Sequence, residues 1–186
     1  MNSFYSKEEL NKLGLKKVGD NVLISRKCSI YNAKEIIIGN NVRIDDFCIL
    51  SGKIKIGNYV HVSAGVMLFA GEYGIILKNY SSISSRCAIY ALTDDYSGEY
   101  MVNSVLPDEV RNVLGGQVVL EEFVSVGTGC TILPNVIIKK GAAVGAMSLV
   151  NKNIEEYTIN VGIPCKKIKN RKKNMLQLAK KIECGL

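Results

Sequence analysis

Aliphatic residues return at every sixth position between Leu120 and Val150: Leu120, Val126, Ile132, Ile138, Val144 and Val150. Four residues after each of the first five stands a small or β-branched residue, Val124, Cys130, Val136, Ala142 or Ser148. This period fits neither a helix nor an alternating strand. It predicts a coil of three short strands, with the aliphatic residue filling the interior and the small one turning the corner. Each coil leaves an apolar side open until the next stacks on it, so stability is shared between neighbours. The fold class is therefore all-β, a parallel β-helix of hexapeptide repeats.

The same pattern extends toward the N-terminus. Residues 1–16 read as a helical segment, with Ser6 as cap, Glu8 and Glu9 in the first turn, Leu10 and Leu13 on one face, and Gly14 as the stop. Repeats begin at Val18, stumble over Ile30 to Glu35, where two extra residues shift the phase, and run regularly from Ile38. Gly-Asn and Asp-Asp pairs after the apolar residue are turn chemistry tolerant of left-handed backbone. Leu68 to Gly74 breaks the phase by about three residues, which predicts a small outward bulge, and the period resumes from Leu77 to Asp94. Asp95 to Gly116 has no period at all; a long excursion from a regular scaffold is usually functional. The repeats fade after Val150, and Val161 to Lys169 closes the coil. Met175, Leu176, Leu178, Ala179 and Ile182 then give a basic amphipathic helix, expected to cap the end of the solenoid. The expected organisation is a helical segment over 1–16, a β-helix over 17–169 with an excursion loop at 95–117, and a basic helix over 170–186.

A chain of 186 residues supports one sizeable core. No apolar run approaches the length of a membrane span, and the first residues lack the apolar core of a secretory signal, so stable membrane insertion is not expected and a cytoplasmic protein is. Of six cysteines, Cys28, Cys48, Cys87 and Cys130 each follow an apolar repeat residue by four positions, the corner slot, where a thiol serves as a small hydrophobe. With His61 the only histidine and no C-x-x-C pair, zinc spacing is absent and no metal is expected. The net charge of +7 concentrates between Lys166 and Lys173. That run has no aromatic interleaving and belongs to no recognisable nucleic-acid module, so a phosphorylated ligand is its most economical partner.

The second half resembles the hexapeptide-repeat acyltransferases, in particular the maltose/galactoside O-acetyltransferase branch. The residues that carry the resemblance are Val126-Gly127-Thr128, Gly145 to Lys152 (GAMSLVNK) and Gly162 to Lys169 (GIPCKKIK). The resemblance implies a left-handed helix, a homotrimer with active sites between subunits, and acetyl-CoA as co-substrate. It further implies that Thr128, Ala146 and Asn151 line the pantetheine arm and that Lys152, Lys166 and Lys169 face the nucleotide phosphates. Lysines meet such phosphates as mobile point charges.

In those O-acetyltransferases a histidine just before the excursion deprotonates the acceptor hydroxyl; here Asp94 stands in its place. Three readings remain open. His61 is the base, in a segment similar to that of amino-sugar N-acetyltransferases; or Asp94 or Asp95 is the base or orients His61; or an unprotonated amino-sugar nitrogen attacks unaided. Glu72, where the resemblance puts an acceptor-binding carboxylate, and Tyr96, in the opening of the excursion, are the candidate acceptor-binding residues. The expected function is an O-acetyltransferase acting on a sugar or sugar-nucleotide acceptor in surface polysaccharide or lipopolysaccharide synthesis. The alternatives are an N-acetyltransferase for a nucleotide-linked amino sugar, and a non-catalytic β-helical scaffold. A γ-type carbonic anhydrase, which shares the fold, needs three histidines and is ruled out.

Overall fold

The computed structural model describes residues 3–185 and is a parallel β-helix. Three apolar columns run along its interior, one for each face of a triangular prism. Val18, Ile38, Ile56, Leu77, Leu120 and Ile138 stack as one column. Ile24, Ile44, Val62, Ile83, Val126 and Val144 form the second. Ile30, Leu50, Leu68, Ile89, Ile132 and Val150 form the third. Val18 and Ile30, at the start of their columns, are partly buried; the other column residues are almost wholly inaccessible to solvent, with Val144 the most exposed at 3%. The register explains the period, because each repeat residue sits directly over its counterpart one coil below.

Corners hold the coils together. Cys48, Cys87 and Cys130 are buried there, and each thiol donates to a carbonyl of the next coil, at Ser63, Gly127 and Gly145. Ser148 takes the same slot and donates to the Gly145 carbonyl. Another corner carries an asparagine ladder: the backbone N–H groups of Asp20, Asn40 and Asn58 donate to the side-chain oxygens of Asn40, Asn58 and Asn79, each at 2.8 Å. This ladder is why glycine precedes asparagine in the repeats. A Cβ on Gly39 or Gly57 would lie within 2.5 Å of the asparagine oxygen of the next coil. The glycines answer close approach, and the left-handed backbone sits further along, at Asn21, Asn41, Tyr59, Tyr80 and Phe123. The aromatic residues at these positions stack: Tyr59 on Tyr80 and Tyr80 on Phe123, each at 5.0 Å between ring centroids. Stacking of this kind contributes about 0.5–1.5 kcal/mol per pair and offsets left-handed strain of similar size.

Insertions fall where the period breaks. The extra residues before Ile38 form a 3-10 turn, Ala33–Glu35. The three before Leu77 are absorbed as two register shifts within one long strand, Met67–Leu77, where it pairs with Ile49–Ile56. The excursion rises on an antiparallel stem, Leu92–Asp94 against Val113–Gly115. After Val150 the repeat does not fade. It continues for a further coil through Ile154, which bridges to Ile138, and Asn160, which stacks on Val144. The step from Val150 to Ile154 is shortened to four residues and Asn160 is polar, so a six-residue aliphatic pattern misses this coil. Asn160 is buried and donates to the Thr158 hydroxyl.

Both helices are shorter than expected. α1, Lys7–Lys12, starts from a capping box formed by Ser6 and Glu9. The segment after the last coil begins as a strand, Lys166–Asn170, antiparallel to Thr158–Val161, and only then becomes α2, Met175–Glu183. α2 does not close the end of the prism. It turns back along the aromatic corner, where Tyr80 donates to Glu183 at 3.0 Å, and of its apolar residues only Ala179 is buried. Arg171 makes the turn, donating to the carbonyls of Phe123, Gly141 and Ala142 and to the Ser125 hydroxyl. Among the described residues no helix is long and apolar enough to cross a membrane.

Candidate active site

The stem of the excursion builds a cleft of about 300 Å³, lined among others by Tyr90, Thr93, Asp94, Tyr96 and Arg111. Tyr90 is held by stacking on Phe69 of the coil below. The bulged strand supports the stem: a Cβ on Gly115 would collide with the Tyr73 ring, and one on Gly71 would meet Leu92 at 3.1 Å. Glu72, on that bulge, is exposed and does not line the cleft.

The two aspartates at the foot of the excursion differ in what they face. Asp94 is half-buried in the cleft, and its carboxylate has no hydrogen-bond or ion-pair partner among the described residues. The carboxylate of Asp95 is occupied, accepting from the Ser97 backbone N–H and from the Asn112 amide, both at 2.8 Å. These bonds, the Ser97 backbone N–H foremost, hold its pKa below the ordinary carboxylate value. Asp95 ties the neck of the loop, and Asp94 is free for a ligand. Tyr96 stands exposed at the rim.

His61 lies elsewhere, on the face of the second apolar column, between Arg43 and Ser82 on the neighbouring rungs. Its Nε2 is 2.8 Å from Asp45 Oδ2, and Arg43 Nε donates to Asp45 Oδ1 at 2.7 Å. Burial is the largest single influence on Asp45 and raises its pKa, but the bonds and charges of Arg43 and His61 together outweigh it and leave the pKa lowered. Sequence alone did not point to Asp45 as the partner of His61. The available signal was a separation of 16 residues, close to one coil, in a segment where stacked rungs become neighbours.

The segments carrying the resemblance converge at the far end of the prism. Thr128 and Ala146 occupy the same corner of successive coils, where the Met147 N–H donates to the Thr128 carbonyl at 2.8 Å. Gly127 is obligatory here, since a Cβ would lie 2.5 Å from the Ala146 backbone nitrogen. The Thr128 hydroxyl is already used, donating to the Ser85 carbonyl. The tail segment folds against the last full coil through bonds from Leu149 N–H to the Gly162 carbonyl and from Cys165 N–H to the Leu149 carbonyl. Asn151, Lys152, Lys166 and Lys169 are therefore gathered at this end, all exposed, and the three lysines make no ion pair with described residues. Exposed mobile cations beside a small-residue corner suit a long polyanionic ligand. Among the described residues no group of three or more His, Cys, Asp or Glu could hold a metal.

Residues 35–70 match the family description "Bacterial transferase hexapeptide (six repeats)". The chain is 44% identical over 173 residues to the Escherichia coli dTDP-4-amino-4,6-dideoxy-D-glucose acyltransferase, covering 91% of this chain and 90% of that one. It is 29% identical to WbbJ of E. coli K12, a putative lipopolysaccharide biosynthesis O-acetyl transferase, over 79% of this chain and 78% of that one. Among solved structures, AntD, an N-acyltransferase from Bacillus cereus, is 48% identical, covers all of both chains and superimposes with a TM-score of 0.97. AntD has been solved with dTDP or dTDP-4-amino-4,6-dideoxyglucose together with coenzyme A, and with dTDP and 3-hydroxybutyryl-CoA. Variants among those structures replace its Asp94 and its Ser84. This chain has aspartate and serine at the same two numbers, and Ser84 follows the His61–Ser82 rung without any repeat signal of its own.

Proposed function

The chain belongs to the bacterial hexapeptide-repeat acyltransferases and is an acyltransferase of sugar-related substrates, and we propose that it transfers an acyl group from coenzyme A to the amino nitrogen of a dTDP-linked 4-amino-4,6-dideoxy sugar. The observation that carries this is end-to-end similarity to an N-acyltransferase that extends to Asp94 and Ser84, the former unpartnered in a cleft. The expected transfer to a sugar hydroxyl gives way to transfer to nitrogen. The O-acetyl relative is the more distant at 29% identity, and the histidine that hydroxyl chemistry would use is absent from the cleft.

The nitrogen lone pair attacks the thioester carbonyl, the C–N bond forms as the C–S bond breaks, nitrogen loses a proton and the departing sulfur gains one. An amine needs less help than a hydroxyl, because it is the stronger nucleophile once unprotonated. Asp94 accepts a hydrogen bond from the amine and aims its lone pair. His61 has its Nε2 engaged by Asp45 and is outside the cleft, so the acceptor-side role goes to Asp94. Thr128, Ala146 and Asn151 line the pantetheine arm, and Lys152, Lys166 and Lys169 meet the phosphates. The donor is acyl-CoA, with acetyl-CoA the simplest case.

Ser84 and Asp94 lie on different sides of the prism, with the rung Ala88–Tyr90 between them. A site that uses both would need a second copy of the chain, in keeping with the homotrimer with sites between subunits that the family resemblance implies. Free thiols at all six cysteines fit a cytoplasmic enzyme. The test is thiol release from acetyl-CoA with two acceptors that differ only at C4, dTDP-4-amino-4,6-dideoxyglucose and dTDP-6-deoxyglucose. Turnover with the amine alone supports the reading, and turnover with the hydroxyl sugar alone overturns it.

A further inference from the structure

Among the described residues Arg111 is the one cation lining the cleft, and it is incompletely paired. Its side chain is 19% exposed. One terminal nitrogen donates to the Ser104 carbonyl at 2.8 Å, while the other stands 3.6 Å from an Asp108 carboxylate that is itself 95% exposed. The Nε hydrogen is buried and has no partner among the described residues. Asp94 lines the same cleft and forms no ion pair with it. A guanidinium offers five donors in a planar fork, and a buried donor left unmade is costly unless a ligand completes it. If Arg111 served only to staple the excursion, its neighbours would be expected to use that donor.

We propose that Arg111 binds the diphosphate of the acceptor nucleotide, and so fixes which end of the sugar meets Asp94. The inference rests on the acceptor reading above and names the residue that reads the charged half of the acceptor. In a 4-amino nucleotide sugar the amine and the diphosphate are attached at C4 and C1, at opposite ends of one pyranose ring. The cleft carries the matching pair, an unpartnered carboxylate and an unfinished guanidinium. The planar fork takes phosphate oxygens two at a time, which a lysine would not. Tyr90 and Tyr96 supply aromatic surface for the apolar parts between.

The test measures dTDP, dTMP and thymidine binding by calorimetry on the full chain and on Arg111→Ala and Arg111→Lys, with coenzyme A titrated in parallel. Loss of a charge-assisted bond predicts that Arg111→Ala weakens dTDP by about 10- to 100-fold. Thymidine and coenzyme A should stay within about twofold, and Arg111→Lys should recover only part of the loss, because the fork is gone. In steady state the acceptor KM should rise while the acyl-CoA KM holds. Unchanged dTDP affinity in Arg111→Ala, or a parallel loss of coenzyme A affinity that marks a disordered loop, overturns the proposal. Wild-type protein that turns over the amino sugar while Arg111→Ala binds dTDP normally removes this inference alone; wild-type protein that binds no dTDP removes the acceptor reading with it.

Discussion

Replacing Asp94 by asparagine separates chemistry from binding. The carboxylate is half-buried, lines the cleft and touches no protein partner, so its removal breaks no internal hydrogen bond and leaves no new unsatisfied group. Asparagine keeps the shape and one acceptor oxygen but loses the charge and the capacity to take a proton. A hydrogen bond to a charged group contributes about 1.5–3 kcal/mol, equivalent to about 10- to 150-fold in kcat/KM. Proton removal at the nitrogen raises the expected cost toward the upper end and beyond, since positioned bases contribute about 100-fold or more. The assay is continuous detection of free coenzyme A with a chromogenic disulfide at saturating acetyl-CoA. The expected result is kcat/KM for the amino sugar lowered about 100-fold, with the acetyl-CoA KM and the melting temperature unchanged. Activity within about threefold of wild type would refute the argument that an unpartnered carboxylate here faces the amine.

Four further outcomes follow from the same geometry. His61→Ala should lower kcat/KM by less than about tenfold, because its ring is engaged by Asp45 outside the cleft; a loss of about 100-fold would transfer the base role to it. Ile83→Ala, at a fully buried rung between Val62 and Val126, should cost about 2–5 kcal/mol in denaturant unfolding. Gly127→Ala would place a Cβ 2.5 Å from backbone, so it should destabilise by about 1–3 kcal/mol and weaken coenzyme A in the same titration. The Arg26 guanidinium, followed by the Ser6 N–H, holds Glu9 down to about 2 from 4.5. Its folded pKa is below its unfolded value, so this contribution is complete above about pH 4.5 and is lost as pH falls toward about 2. Melting curves of wild type and Glu9→Gln should therefore diverge at pH 6 and converge near pH 2.5; because the pair is exposed, the divergence should be small and shrink with salt.

The architecture was legible because stacking makes the sequence periodic: one aliphatic residue per rung and one small residue per corner are written directly in the spacing. The cysteines at 48, 87 and 130 were readable as corner residues for the same reason. Legibility failed where packing departs from that spacing. The last coil was missed because Asn160 puts a hydrogen-bonded amide where an aliphatic residue is expected. The course of α2 was missed because Arg171, which turns the chain back through carbonyls of Phe123, Gly141 and Ala142, looks in sequence like one more residue of a basic run. Within the candidate site, Asp94 and Asp95 are adjacent and alike in sequence. Only the structure divides them, since Asn112, which binds Asp95, sits 17 residues away across the stem. Arg111 and Ser84 carry no pattern at all: one lies in an aperiodic loop and the other follows an ordinary rung.

The most direct measurement is the identity of the acylated atom. Wild-type protein incubated with acetyl-CoA and dTDP-4-amino-4,6-dideoxyglucose should yield a product whose proton spectrum shows an amide N–H coupled to H4. That product should keep its acetyl group in mild alkali, with one coenzyme A released per acetyl transferred. An acetyl group on a ring hydroxyl, shed in the same alkali, or no transfer to the amino sugar at all, would contradict the account.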